Sequence, residues 1–428
     1  MVSLTRRRHA LAAALAAVIL LALLVSELLA VLGPRPVRGR TYLIAVPVVL
    51  LVAAGAYLLT KAVQSGPERR QRRLLRAFVV LILGLGLALL TTDVLLFAVS
   101  AGPAPAGLAL LACIPTTAFG LIVVRRLDRN EKEPWRIVLA AAAFGGIAGT
   151  TLAVGFESAW SSAAFRALIP GPGLDISMAF SAGLFEELAK GLALLFLYLA
   201  MREEFDGVVD GIVYGAVLGL GFNFMESVGY ITTEFAASGY GGAQSQFVDR
   251  QVLGLFFGHA TFTALIGAGI GLARQTRGPM AAVYIACGFL GAIAAHFAFD
   301  ALHLIGLAQT TFTTWPFTLG VVLLVIFGLR SEGRALERQL AAEAAGQSGA
   351  VEAAEVRVLT RPLRRFRARL RALFRGGPAA YLQTGRVQKA QMDLAMQRWH
   401  LERGETDVPD LEQARRDRVL DLRARLKV

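Results

Sequence analysis

Cysteine is nearly missing from this chain. Its 428 residues include two, Cys113 and Cys287, both in apolar stretches. That excludes a disulfide-stapled scaffold and a cysteine-based zinc cluster, and leaves the pair as helix-packing residues. Charge is scarce too. Asp, Glu, Lys and Arg make up 18% of the residues, against about 25% in a typical soluble domain. Acids are the scarcer sign, 31 against 44 basic residues, for a net charge of +13. No Walker loop, dinucleotide fingerprint or HExxH zinc string occurs, which removes the commonest nucleotide and zinc-peptidase signatures. The apolar runs hold no serine patterned with a His or Lys base. The one Gly-x-Ser-Gly string, Gly346 to Gly349, falls in a polar tail.

What the chain has instead is hydrophobicity: 55% apolar residues and a mean hydropathy of +0.57. The predicted class is all-α, a polytopic transmembrane helix bundle of about ten spans with a helical cytoplasmic C-terminal tail. The spans are drawn at 9–32, 42–62, 76–101, 106–124, 137–160, 175–200, 208–231, 252–273, 280–305 and 315–330. Each is near the roughly 20 residues that a helix needs to cross the hydrocarbon core. Arg6, Arg7 and Arg8 precede an apolar run too long for a signal peptide, so the first span is read as uncleaved. Basic residues cluster at Arg69–Arg76, at Arg125–Arg136 and at Arg274 and Arg277. The positive-inside rule then puts both termini in the cytoplasm, with Arg35, Arg38 and Arg40 as the dissenting loop. The positive charge is therefore assigned to cytoplasmic loops and not to nucleic-acid binding.

The tail begins near Ser331. Leu359, Leu363, Phe366, Leu370, Leu373 and Phe374 recur at helical spacing among arginines. This is a basic amphipathic helix, suited either to an anionic lipid surface or to packing in a solvated tail. The Ala/Gly-rich stretch 341–350 reads as a linker.

The chemistry sits inside the apolar runs. Glu186, Glu187, Lys190, Glu226, His259, His296, Asp300 and His303 occupy four consecutive spans. A charge at the bilayer centre costs about 2.5–3.5 kcal/mol on insertion scales, so eight such groups imply a buried polar site. Lys190 follows Glu186 by four residues and Glu187 by three, within reach of both on one helical face. Adjacent carboxylates in low dielectric repel, which suits one of them to proton transfer. Gly211, Gly215 and Gly219 share a stripe with Phe222 and Glu226, which puts Glu226 on a closely packed face. Gly267 and Gly271 form a second such step after His259. His296, Asp300 and His303 share a face at offsets of four and seven. His and Asp one turn apart can share a metal ion, or one can orient the other. Counted from the outer span ends, Glu186 lies about 16 Å deep, Glu226 about 8 Å, His259 about 10 Å and His296 about 13 Å. All converge on the outer half of the bilayer.

These residues resemble a family. Glu186-Glu187-Leu-Ala-Lys190 looks like the EExxK motif of the PrsW intramembrane proteases. Asp128 to Trp135 looks like that family's acidic-proline loop. Asp210–Gly215 with Gly221–Glu226, then Gly258-His259, then His296-x-x-x-Asp300, look like its later motifs in the same order. The resemblance covers roughly 105–305 and extends to the CAAX prenyl and bacteriocin-processing membrane proteases. Those relatives carry a histidine where this chain has Glu226, and Asn or another small residue where it has Asp300.

The resemblance implies an intramembrane peptidase core at 105–330, after N-terminal spans at 1–104 and before a tail at 331–428. Its substrate would be a membrane-anchored protein, such as an anti-sigma factor or a peptide precursor, in a bacterial plasma membrane. The expected roles are Glu186 as base, tuned by Glu187 and Lys190, with His259, His296 and Glu226 or Asp300 holding Zn²⁺. A metal-free version, in which the histidines stabilise the oxyanion directly, stays open. The rival classes are a proton- or ion-coupled transporter and a non-catalytic membrane scaffold.

Overall fold

The computed structural model describes Ala98 and residues 101–129, 132–153, 174–201, 205–276, 278–304, 314–403 and 409–425. The expected spans 9–32 and 42–62, nearly all of 76–101, and the side chain of His303 lie outside the described residues. All regular structure among those described is helical. The chain divides into two compact units, one ending at Val325 and one running from Ile326 to Val428 that also takes in Asp128–Lys132.

The first unit contains α1 (Pro103–Arg125) and α2 (Trp135–Phe144), which continues through a π-helical turn at Gly145–Gly149. Next come α3 (Leu174–Ala200), α4 (Val208–Phe247), α5 (His259–Arg274) and α6 (Met280–Leu304). Four stretches among the described residues are long and apolar enough to cross a membrane: Pro103–Arg125, Trp135–Ala153, Val208–Arg274 and Met280–Leu302. The expected sixth span forms α3, but Glu186, Glu187 and Lys190 near its middle make it too polar to join that group. The expected tenth, 315–330, is the first half of α7 (Trp315–Ala345), whose second half is strongly charged.

The polarity of this unit is inverted relative to a soluble domain. Leu108, Leu111 and Phe119 on α1, Leu290 on α6, and Leu319 and Leu323 on α7 are exposed. Glu187, Lys190 and His296 are buried. Outward apolar and inward polar is the arrangement that lipid favours.

Helix α4 is the centre. It is buried nearly all round from Val208 to Gly229, and it starts on Asp210, whose carboxylate accepts from the backbone N–H of Asp206 and Gly207. Its glycine stripe sets the packing. A Cβ on Gly211, Gly215 or Gly219 would fall on the carbonyl oxygens of Gly267, Thr263 or His259 in α5. These pairings run in opposite order, so α4 and α5 are antiparallel, as expected for spans 208–231 and 252–273. Gly221 meets Ala142 of α2 in the same way. With no hydrophobic drive between helices in lipid, such close backbone approach supplies the association. Gly267→Val is therefore expected to force α4 and α5 apart, at about 1–3 kcal/mol or more. Thermal unfolding in detergent checks this against Gly320→Val, where nothing stands within 4 Å of the added Cβ.

The connection between α4 and α5, expected as an outer loop, is instead helical. No proline interrupts 208–274, so the chain turns back only by bending. Gly239 bends it at φ 73°, the left-handed region that glycine enters freely. A π-helical turn follows at Val248–Leu253, then a single turn at Gly254–Phe257, and the helix breaks at Gly258.

The second unit comprises the end of α7, then α8 (Ala353–Leu359), α9 (Pro362–Glu402) and α10 (Pro409–Ala424). Leu336, Leu340, Val351, Leu359, Met392 and Trp399 form its core. Residues 341–350 are a tight connection and not the expected linker. Helix α7 runs to Ala345, Ala350 is fully buried and Gly349 turns at φ 78°. Glu343 ties this turn to the later helices. Arg416 donates to both its oxygens, from Nε at 2.7 Å and NH2 at 3.0 Å, and Arg398 and Ser348 donate as well. The hydrogen bond from Arg416 is the main cause that holds the Glu343 carboxyl down from 4.5 to about 2, against the opposing cost of burial. A depressed carboxyl contributes stability that is whole above its unfolded value. This unit is therefore expected to loosen as pH falls from about 4.5 toward 2, and Glu343→Gln should flatten that loss. Acid titration of the Trp399 fluorescence checks it.

Candidate active site

Four helices deliver the polar groups. Helix α3 brings Glu186, Glu187 and Lys190 on one turn. Glu226 comes from α4. The break at Gly258 makes His259 the first residue of α5, and α6 brings His296 and Asp300. The sequence singled out all seven, and the structure gathers them into one cluster.

Lys190 lies at its heart, with no exposed side-chain surface. Its ammonium donates to Glu186 Oε2 at 3.0 Å and Glu187 Oε1 at 2.7 Å, and stands 2.8 Å from His259 Nδ1. It also rests 3.7 Å above the Phe222 ring. Burying an ammonium is tolerable because two carboxylates and a π face replace its water shell.

The two histidines are held alike. His259 Nε2 is 2.6 Å from Glu226 Oε2, and His296 Nδ1 is 3.0 Å from Glu187 Oε1. A neutral ring that donates from one nitrogen offers a lone pair at the other. Those nitrogens, His259 Nδ1 and His296 Nε2, lie 3.9 and 3.7 Å from Glu186 Oε2, with Lys190 Nζ nearer the first at 2.8 Å and Asp300 Oδ2 nearer the second at 3.5 Å. Phe262 stacks on the His296 ring at 4.9 Å, and Phe222 lies 4.9 Å from His259, so both rings are wedged as well as bonded.

Glu186, His259 and His296, all buried, place one ligand atom each within 4.8 Å of one another. The donor set fits a metal ion. Two imidazole nitrogens and a carboxylate oxygen converge, and each ring's second nitrogen is tied to a carboxylate, the usual outer shell of a metal-binding histidine. Lys190 stands on the Glu186–His259 edge, so an ion there would take His259 Nδ1 from it and leave it on Glu187.

The other two expected ligands border this trio. Glu226 Oε2 is engaged by His259 Nε2 and by Arg250 NH1 at 2.7 Å. Asp300 Oδ2 lies 3.5 Å from His296 Nε2, and its side chain, 29% exposed, is the most open of the seven. Two contributors were not singled out in the sequence. Thr263 donates to Glu187 Oε2 at 3.3 Å. Arg250 sits in the π-helical turn, stacks 3.6 Å from the Tyr230 ring and grips Glu226. The available signal was an arginine in a charge-poor stretch, 24 residues past a glutamate in an apolar helix.

Comparison with curated proteins and with solved structures finds no match. A family model does match, that of the PrsW family intramembrane metalloproteases, over residues 133–329. This interval contains every residue of the cluster. Residues 133–329 of this chain are thus a PrsW family intramembrane metalloprotease domain, and the protein is a hydrolase of that kind.

Proposed function

We propose that this protein hydrolyses a peptide bond of a membrane-anchored protein at the Glu186–His259–His296 triangle. One observation carries the reading. Both imidazoles have one nitrogen tied to a carboxylate, and the other nitrogen of each lies within 4 Å of the same oxygen of Glu186.

Glu186, His259 and His296 would hold the ion, for which zinc suits the nitrogen and oxygen donors. Bound there it would supply a Lewis acid for the scissile carbonyl and acidify the attacking water. Glu186, through its other carboxylate oxygen, accepts that water's proton, the resulting hydroxide adds to the carbonyl carbon, and the proton passes to the leaving amine as the C–N bond breaks. Glu187, gripped by Lys190, His296 and Thr263, fixes the His296 ring. Glu226 does the same for His259, and this replaces the ligand role expected from the sequence. Lys190 partly neutralises the two glutamates of its own helix. Asp300, the most open carboxylate, faces entering substrate. The depth of these residues along their helices and the basic loops of the sequence support a centre in the outer half of the bilayer, with both termini in the cytoplasm.

The test is zinc titration of metal-stripped protein against a competing indicator. One tight site is expected, lost in His296→Ala; unchanged affinity in that variant would refute the triangle. Arg250, which acts through Glu226, is a positioning residue. Arg250→Ala is expected to weaken zinc binding about 10–100-fold, the usual cost of an outer-shell loss. Arg250→Lys should restore most of it, a rescue that mere structural damage would not show.

A further inference from the structure

We infer that the first half of α9, up to its bend at Gly377, docks on an anionic lipid surface through the face that its own unit leaves open. One side of this helix is committed inward. Arg365, 9% exposed, donates to the Arg129 carbonyl at 2.9 Å, and Arg369 donates to Gln388 at 2.7 Å. The opposite side is apolar and bare. Leu363 is 61% exposed, Phe366 49% and Phe374 86%. Leu370, half-buried, completes the stripe at steps of three, four and four residues, which is one face of a helix. Arg364, Arg367, Arg371 and Arg375 border it and are exposed. None of these four takes part in an ion pair among the described residues.

The charge pattern selects the partner. From Pro362 to Met392 the sequence has no aspartate or glutamate at all, while arginines recur from Arg361 to Arg386. Phenylalanine and leucine bordered by unpaired arginine is the composition of helices that lie in a lipid interface, with guanidinium groups on phosphates and rings among the acyl chains. The chain already carries membrane-crossing helices, so such a surface is close at hand. Gly377, at φ 71°, and Pro378 end the docking segment by bending α9 where the stripe stops. This inference stands independently of the hydrolytic reading.

The experiment uses the full chain with Cys113→Ala, Cys287→Ser and Phe374→Cys, labelled at residue 374 with a polarity-sensitive fluorophore and placed in lipid nanodiscs. Discs containing phosphatidylglycerol are expected to give a blue-shifted emission that lipid-borne quenchers reach. Discs of phosphatidylcholine alone should give a water-like signal. Arg364→Glu, Arg367→Glu and Arg371→Glu together should return the anionic discs to the water-like signal, with a loss of about fivefold per arginine removed. High salt should act in the same direction. A water-like signal in both lipids would overturn the proposal and leave the face to a soluble acidic partner. A lipid-like signal indifferent to charge reversal and salt would overturn it too.

Discussion

Glu186→Gln is expected to lower kcat by about 10²–10⁴-fold while leaving the fold intact. The carboxamide keeps the size of the side chain, so packing is preserved. What it loses is the carboxylate that accepts the proton and whose Oε2 lies 3.9 and 3.7 Å from the two histidines. Glu186 is also the more open of the adjacent pair, at 10% side-chain exposure against none for Glu187. Glu187→Gln should behave differently. Its oxygens are bonded to Lys190, His296 and Thr263, so that substitution removes the carboxylate that sets the His296 ring and the main partner of a buried ammonium. Its loss of activity should come with a lower unfolding temperature, whereas that of Glu186→Gln should not. Turnover of single-span membrane peptides, measured beside thermal unfolding of both variants, separates the two roles. Equal destabilisation would mean that Glu186 is a structural ion-pair member and not the reacting carboxylate.

Lys190→Met is expected to cost about 3–5 kcal/mol of stability, since removing one partner of a buried ion pair leaves the other charge unpaired. The methionine follows the lysine's unbranched chain as far as Cε and fills nearly its volume, but it takes away the ammonium that Glu187 meets in a site of zero exposure. For a domain of this size the unfolding temperature should fall by roughly 10 °C. Pairing the change with Glu187→Gln should recover much of the loss, because a neutral, well-packed pair avoids the desolvation of both charges. If the double variant is no more stable than Lys190→Met, the cost lies elsewhere, for example in the 3.7 Å contact with Phe222.

Much of the site was legible in the sequence because lipid makes charge conspicuous. Glu186, Glu187, Lys190, His259 and His296 stand out in apolar helices for the same reason that they are expensive there. The glycine stripe of α4 gave the packed face of Glu226, and the structure places that face against His259. The division of labour among the carboxylates was not legible. Spacing puts Glu226 and Asp300 near the histidines, but it does not say which ring nitrogen each one meets. That nitrogen decides between a ligand and an orienting partner. Arg250 was hidden for a related reason. Its contact with Glu226 depends on a bend at Gly239 and a π-helical turn, neither of which has a periodic signal. The 341–350 stretch was misread because alanine and glycine serve a tight buried turn as readily as a loose linker.

The most direct test of the whole account is cleavage of a single-span membrane peptide by the purified full-length protein, before and after a chelator and again after adding zinc. The account predicts cleavage that stops on metal removal, returns with zinc, and is missing throughout in Glu186→Gln. Cleavage that ignores the chelator, or that continues in Glu186→Gln, would contradict it.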